Sequence, residues 1–127
     1  GVDKFLAAAK DAGVDGLIVS NHGGRQLDSV PSTAVALPGI AEAVGDDIDV
    51  LSDGGVRTGL DVVKMMSLGA KAVLIGRAWA WAVAAGGEEG VSEMLGFLKG
   101  DIDTALGLTG CNSVTELDSS ALYSPAE

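Results

Sequence analysis

The stretch SNHGGRQLD, residues 20–28, follows directly on the short apolar run LIV at residues 17–19. It contains His22, the single histidine of the chain, and places Arg25 three positions later. A histidine can carry a proton near neutral pH, and a guanidinium can hold a carboxylate through two parallel hydrogen bonds. At the end of a buried strand, this pair predicts proton transfer on an acidic substrate.

Two more strand-like runs end in glycine and arginine. Residues 53–57 read DGGVR after the run 49–52, and Gly76 and Arg77 follow the run 72–75. Helical patterns separate the three runs, so the sequence predicts successive βα units whose parallel strands end at one edge. We expect nine candidate residues to share that edge: His22, Arg25, Asp53, Gly54, Gly55, Val56, Arg57, Gly76 and Arg77.

The first two helices are predicted from caps and apolar spacing. The first helix begins at Asp3, turns Phe5 and Leu6 inward and ends at Gly13, before a strand at 16–20. The second carries apolar residues at 37, 40, 41 and 44, with Pro38 tolerable only in its first turn, and closes at Gly45.

The later helices follow the second and third strands. Thr58 and Asp61 form a capping pattern for a helix that ends at Gly69. Beyond the third strand, a short helix at 78–85 is separated by glycines 86 and 87 from a longer one. The segment from residue 113 onward is expected to wrap the domain in an extended form.

Length and composition indicate an α/β protein. The chain has 127 residues, 47% of them hydrophobic and 4% aromatic, which is typical of parallel strands under covering helices. It fits one domain without a complete second one, and it is shorter than the roughly 250 residues of a whole (β/α)8 barrel. The start, in a helix-like segment without methionine, indicates a chain cut from something longer.

Charge and cysteine content exclude several classes of function. The net charge of −10 opposes binding to nucleic acid, and membrane association is not indicated in this segment. One cysteine, Cys111, permits no intrachain disulfide, and with a single histidine a metal site is not expected. A reducing, cytoplasmic setting follows as an expectation.

Each candidate also has a purely structural interpretation. His22 could satisfy loop backbone, Arg25 could form a surface ion pair with Asp28, and glycine-rich turns occur for conformational reasons alone. Trp79 and Trp81, two residues apart on a predicted helix, are expected to pack rather than to stack on a cofactor. Met65, Met66 and Cys111 are interpreted as core residues, and the acidic pair at 88 and 89 as a solvated helix start.

Asp53 and the turn that follows it suggest a sugar phosphate. A carboxylate at a strand end can accept from sugar or ribityl hydroxyls, and amides at a helix amino terminus attract phosphate. The expected helix start is at Thr58, and Gly76 with Arg77 repeats the arrangement one unit later. The sequence therefore predicts a phosphorylated cofactor next to an acidic substrate.

The motifs SNHGGRQLD and DGGVRTGLDVVKMMSLGAKAVLIGRAW resemble the carboxyl-terminal part of the FMN-dependent 2-hydroxy acid oxidases and dehydrogenases. The resemblance spans residues 13 to about 117. It implies a (β/α)8 TIM barrel, of which this chain supplies about the last three βα units. It also implies FMN as cofactor and a small (S)-2-hydroxy acid, of the L-lactate or glycolate type, as substrate.

The resemblance also assigns roles to the candidate residues. His22 is the implied base, and Arg25 binds the substrate carboxylate. Ser20 contacts the flavin, residues 53–57 hold ribityl and phosphate, and Gly76 and Arg77 complete the phosphate clamp. A lysine, an aspartate and tyrosines that the family places earlier have no counterpart in this chain, since Tyr123 does not match them.

Three further expectations follow. The remainder of the barrel is needed, and without it the fragment should bind FMN poorly and be nearly inactive. Its open strand edges favour a homo-oligomer or another partner. The alternatives are another FMN- or phosphate-binding TIM-barrel enzyme, and a non-catalytic phosphate-binding half-barrel or assembly module.

Overall fold

Three parallel strands form a single sheet in the order β1-β2-β3 in a computed structural model, which describes residues 2–123. They are β1 Gly16–Val19, β2 Asp49–Ser52 and β3 Ala72–Val73. The register sets Val19 opposite Ser52, and Ser52 opposite Val73, so the strands finish level with one another. Whatever follows each strand therefore emerges at the same edge.

In the described part of the chain, four α-helices accompany the sheet. They are α1 Val2–Asp11, α2 Thr33–Val44, α3 Gly59–Ser67 and α4 Arg77–Thr109. The order α1-β1-α2-β2-α3-β3-α4 is the predicted succession of βα units, with β1 and β3 as open edges. The third strand is shorter than expected, because ladder pairing stops after Val73 and only the amide of Leu74 still bonds to the Ser52 carbonyl, at 2.8 Å.

The core lies between the sheet and α1 to α3. Its centre is Leu37 and Val50, which are almost completely buried, and the cluster contains nine residues: Leu6, Val19, Leu37, Val44, Ile48, Val50, Val56, Met65 and Ala70. Met65 is buried as expected, whereas Met66 is half-buried. Burying these side chains supplies the main driving force that holds the helices on the sheet.

Two details of the first helices differ from expectation. Phe5 does not turn inward: it is 66% exposed, and Leu6 alone is buried on α1, whose first turn already contains Asp3. Pro38 is the sixth residue of α2 rather than part of its first turn. Its missing N–H frees the carbonyl of Ala34, an exposed residue, so water can take the place of the lost bond.

The third and fourth helices follow the sequence signals more closely. Thr58 Oγ1 accepts from the amide of Asp61 while the Asp61 carboxylate accepts from the amide of Thr58, which is the predicted capping box. Gly87, with φ 57° and ψ −134°, interrupts α4 where the two glycines predicted a break. The segment after α4 forms two short 3-10 turns, Val114–Glu116 and Ser119–Ala121, instead of a continuous extended wrap.

Candidate functional site

A cleft of about 820 Å³ opens at the edge where the three strands end. All nine residues expected at this edge line it: His22, Arg25, Asp53, Gly54, Gly55, Val56, Arg57, Gly76 and Arg77. Gly23, Leu74 and residues 78–81 complete its wall. The parallel register thus brings the predicted proton carrier, the predicted carboxylate ligand and both glycine-rich turns into one concave site.

The His22 backbone adopts a left-handed conformation. Its φ is 56°, and His22 and Ser29 are the described non-glycine residues with positive φ. Such a conformation costs a residue with a Cβ about 1–3 kcal/mol, so surrounding contacts must hold it. Ser20 Oγ accepts from the His22 amide at 3.0 Å, and Asn21 Oδ1 accepts from the Gly23 amide at 3.0 Å.

Ser20 and Asn21 therefore shape the turn that presents His22. Ser20 Oγ accepts from the His22 amide, and Ser20 is not among the residues that line the cleft, so its expected contact with flavin stays a prediction. Asn21 was not singled out from the sequence. Its position directly before the 3-10 turn His22–Gly24 could have indicated this role. Short polar side chains at such positions commonly bond to backbone amides.

Two arginines, Arg25 after β1 and Arg77 after β3, lie beside Gly23. A Cβ built on Gly23 would lie 3.6 Å from Arg77 Nη2 and 3.9 Å from Arg25 Cδ. The end of β3 thus supplies a guanidinium directly beside the loop that follows β1. A Cβ at position 23 would make ordinary contacts with these groups, but its φ of 65° favours glycine.

None of the three arginines is neutralised within residues 2–123. The ion pairs there join lysines to aspartates: Lys10 with Asp47, Lys71 with Asp49, and Lys99 with Asp103. The alternative pair of Arg25 with Asp28 does not form in this part of the chain. In an acidic protein, unpaired guanidinium groups in a cleft form a local site for anions.

Asp53 provides an acceptor that lacks a partner. Its Oδ1 is buried without a hydrogen bond among the described residues, although its own amide bonds to the Val19 carbonyl at 3.2 Å. A buried carboxylate oxygen without a donor is costly unless a ligand satisfies it. Hydroxyl groups of a polyol chain are suitable donors, so the cleft fits the ribityl portion of FMN at this point.

The amino end of α3 differs from expectation as a phosphate site. The Asp61 carboxylate already accepts from the amides of Arg57 and Thr58, at 3.0 and 2.9 Å. Asp101 accepts from the amide of Gly59 at 3.1 Å. Two carboxylates therefore occupy the amides that were expected to attract phosphate.

The amino end of α4 remains open. The helix begins at Arg77, its N-cap is Gly76, and no side chain of residues 2–123 caps it. Its first amides consequently face the cleft without a protein carboxylate, next to the Arg77 guanidinium. Of the two predicted phosphate positions, this one has the better chemistry for an anion.

The capping carboxylate of α3 is favoured in its ionised form. Burial disfavours the charge of Asp61, but hydrogen bonds from the Arg57 amide, the Thr58 amide and the Thr58 hydroxyl outweigh it, with Lys64 adding attraction. The pKa of Asp61 is therefore lowered from its usual value. The Asp61 side chain stabilises the turn after β2, because it accepts hydrogen bonds from Arg57 and Thr58 at the end of that turn.

The two tryptophans are placed differently from expectation. Trp79 and Trp81 are 52% and 73% exposed, and both line the cleft instead of packing in the core. Periodicity could not reveal this, because spacing alone does not show which elements cover the first turns of α4. Cys111 is half-buried and free, and Glu88 and Glu89 are exposed.

Within the described part of the chain, no three His, Cys, Asp or Glu side chains come together in a way that could hold a metal ion. A search of the same residues finds no helix with the length and apolar character needed to cross a bilayer.

Comparison with known proteins identifies the family. A sequence profile of the family described as FMN-dependent dehydrogenase matches residues 5–124. The chain belongs to the FMN-dependent dehydrogenase family. Its members' dependence on FMN agrees with the cofactor expected from the two motifs, and the resemblance seen in the sequence is confirmed.

Relatives of this FMN-dependent dehydrogenase chain are substantially similar to it. The L-lactate dehydrogenase of Caulobacter sp. (strain K31) is 58% identical over 115 residues, which cover 91% of this chain and 30% of that protein. The L-lactate dehydrogenase of Azorhizobium caulinodans is 55% identical over 117 residues, covering 90% and 31%. The chain thus spans about a third of the length of these relatives.

Solved structures agree on the fold. A mandelate oxidase with benzoyl-formic acid superposes with a TM-score of 0.84 at 46% identity, over 93% of this chain and 34% of that one. The same enzyme with (S)-2-phenylpropionate gives the same values. The expected fold class, part of a (β/α)8 TIM barrel, is confirmed by this agreement and by the three parallel βα units.

Proposed function

We propose that this chain supplies the phosphate site and the catalytic histidine of an enzyme that oxidises a small (S)-2-hydroxy acid to the 2-oxo acid. The observation that carries the proposal is that His22 and Arg25 share one cleft with both glycine-rich turns. An L-lactate type of substrate is favoured by the relatives named L-lactate dehydrogenase, and a glycolate type by the similar chemistry of the two acids.

In this reaction the substrate loses two hydrogens, one from the carbon and one from its hydroxyl group. Together they amount to two electrons and two protons. His22 acts as the base, accepting one proton at its imidazole. His22 follows the end of β1 and lines the cleft, on a backbone in the left-handed conformation. FMN, when bound, takes up the two electrons and the remaining proton.

Arg25 orients the acid. Its guanidinium has no ion-pair partner among the described residues, and it lies three positions from His22 in the same turn. A bidentate bond to the substrate carboxylate would fix the neighbouring carbon within reach of the imidazole. Loss of this bond should lower both affinity and turnover.

The remaining residues hold the cofactor. Asp53 accepts from ribityl hydroxyls through its unpartnered Oδ1, and Gly54 and Gly55 allow the backbone to approach closely. Val56 and Arg57 close the same turn, and Gly76 with Arg77 binds the phosphate at the open end of α4. Ser20, whose Oγ accepts from the His22 amide, would contact the flavin.

The proposal extends to the surroundings of the chain. Residues 1–127 form the carboxyl-terminal part of a barrel whose other strands pair with the open edges of β1 and β3. The complete protein is cytoplasmic and a homo-oligomer. Exposed apolar side chains such as Ile18, 53% exposed next to the open edge of β1, are suited to burial in such contacts.

The test is a lactate dehydrogenase chimera, in which this chain replaces the matching 115-residue region of the Caulobacter sp. enzyme. We expect the purified chimera to be yellow and to reduce an artificial electron acceptor with L-lactate. Arg25→Met should lower kcat/KM by about 10- to 100-fold, as expected for loss of a charge-assisted hydrogen bond. A yellow chimera that oxidises no 2-hydroxy acid would refute the proposal and favour a phosphate-binding module.

A further inference from the structure

Asn21 joins three segments that meet at the candidate site. Its Oδ1 accepts from the Gly23 amide at 3.0 Å, inside the turn that carries His22. Its Nδ2 donates to the Pro31 carbonyl at 3.4 Å, ten residues further along the chain. The same Oδ1 would lie 3.5 Å from a Cβ built on Gly54, so the amide also stands against the turn after β2.

The neighbouring backbone shows why such a connection is needed. His22 has a φ of 56°, which L-residues seldom adopt without support. The loop from 21 to 32 joins β1 to α2 and contains one short 3-10 turn, so few backbone bonds hold it. The Asn21 amide fastens the beginning of this loop to its end.

We propose that Asn21 is a positioning residue for His22: its amide holds the left-handed turn and ties that turn to Pro31, which keeps the imidazole directed at the substrate. This inference rests on the proposed function for its effect on turnover. Both ends of the amide are required, because the oxygen accepts from Gly23 and the nitrogen donates to Pro31. Aspartate retains the first bond and loses the second, and alanine loses both.

The experiment compares Asn21→Asp and Asn21→Ala in the lactate dehydrogenase chimera. Asn112→Ala is the matched control, since Asn112 is an exposed asparagine beyond α4. We expect kcat to fall by about 100-fold in Asn21→Ala and by about tenfold in Asn21→Asp, because misplacing a catalytic group by an ångström has effects of this size. FMN affinity and the thermal unfolding midpoint should stay close to those of the control.

A second measurement does not depend on turnover. Hydrogen–deuterium exchange of the peptide covering residues 20–32 should be about tenfold faster in Asn21→Ala than in the control. If the chimera with Asn21 intact is inactive, the proposed function fails, while this exchange comparison still decides whether Asn21 holds the loop.

Either of two results would overturn the inference. One is unchanged exchange of the 20–32 peptide in Asn21→Ala. The other is a kcat in Asn21→Ala within about twofold of the control, or one that falls only together with the unfolding midpoint, which would indicate general stabilisation instead of positioning.

Discussion

A Cβ on Gly54 would stand 2.9 Å from Oγ1 of Thr33, closer than side-chain carbons normally approach. Gly54 also has a φ of 95°, and Thr33 is 3% exposed at the start of α2. The turn after β2 and the first residue of α2 are therefore in direct contact. Any side chain at position 54 would displace either this turn or the start of α2.

Gly54→Ala in the lactate dehydrogenase chimera should consequently lower the free energy of unfolding by about 1–3 kcal/mol, through strain at positive φ and the clash with Thr33. FMN affinity should fall as well, because the turn is displaced. The control is Gly39→Ala in α2, where a Cβ meets nothing within 4 Å and helix propensity favours alanine by about 0.5–1 kcal/mol. Equal unfolding curves for the two variants would show that the close approach is absent.

Gly59 lies at a close approach between α3 and α4. A Cβ there would overlap the Leu98 carbonyl and the Asp101 side chain, and would lie 2.6 Å from the Ile102 nitrogen. Since backbone cannot yield as a flexible side chain can, Gly59→Ala should cost about 2–4 kcal/mol of unfolding free energy, measured by urea denaturation. Gly96→Ala, on α4 with open space around it, should be neutral or slightly stabilising. A Gly59→Ala variant as stable as Gly96→Ala would contradict this packing.

The capping carboxylate of α3 gives a pH-dependent prediction. Because its pKa is lowered in the folded state, ionised Asp61 stabilises the fold above its unfolded pKa, and the contribution is lost as pH falls through the lower folded value. Asp61→Asn should therefore cost about 0.5–1 kcal/mol at neutral pH, and the difference from the unmodified chimera should shrink in acid. Asp103→Asn, which removes an exposed i,i+4 ion pair with Lys99, should cost less than about 0.5 kcal/mol. Urea denaturation at several pH values measures both, and a difference for Asp61→Asn that grows in acid would have the wrong sign.

Arg77 should recognise the phosphate and not the flavin ring. Its position beside the uncapped start of α4 predicts that Arg77→Gln weakens FMN binding at least about tenfold, while riboflavin binding, which lacks the phosphate, changes little. Quenching of tryptophan emission can report binding, since Trp79 and Trp81 both line the cleft. Lys99→Gln, an exposed cation elsewhere on α4, should leave both affinities unchanged. Equal losses for FMN and riboflavin would remove Arg77 from the phosphate site.

The residues at the sheet edge could be predicted because parallel strands have one carboxyl end each and the motifs directly follow them. The Thr58 and Asp61 cap was also predictable, since it is local in sequence. The tie between the His22 turn and Pro31 was not predictable, because the bond from Asn21 to the Pro31 carbonyl crosses a loop. Only the folded chain shows that contact.

Aromatic positions could be predicted even less well. The sequence does not show which elements outside the described residues could cover a side chain. Phe5, Trp79 and Trp81 were expected to be inward or packed, yet they are exposed. At the phosphate site the difficulty is a contact between residues far apart in sequence. Amides at the start of α3 looked available in the sequence, but Asp101 reaches the Gly59 amide from α4 and occupies it.

The most direct measurement is anaerobic mixing of the lactate dehydrogenase chimera with L-lactate while flavin absorbance is followed. We predict bleaching for the unmodified chimera, and for His22→Gln a retained yellow colour with bleaching slowed at least about 100-fold, as expected when a general base is removed. Bleaching at an undiminished rate in His22→Gln would contradict the assignment of His22 as the base.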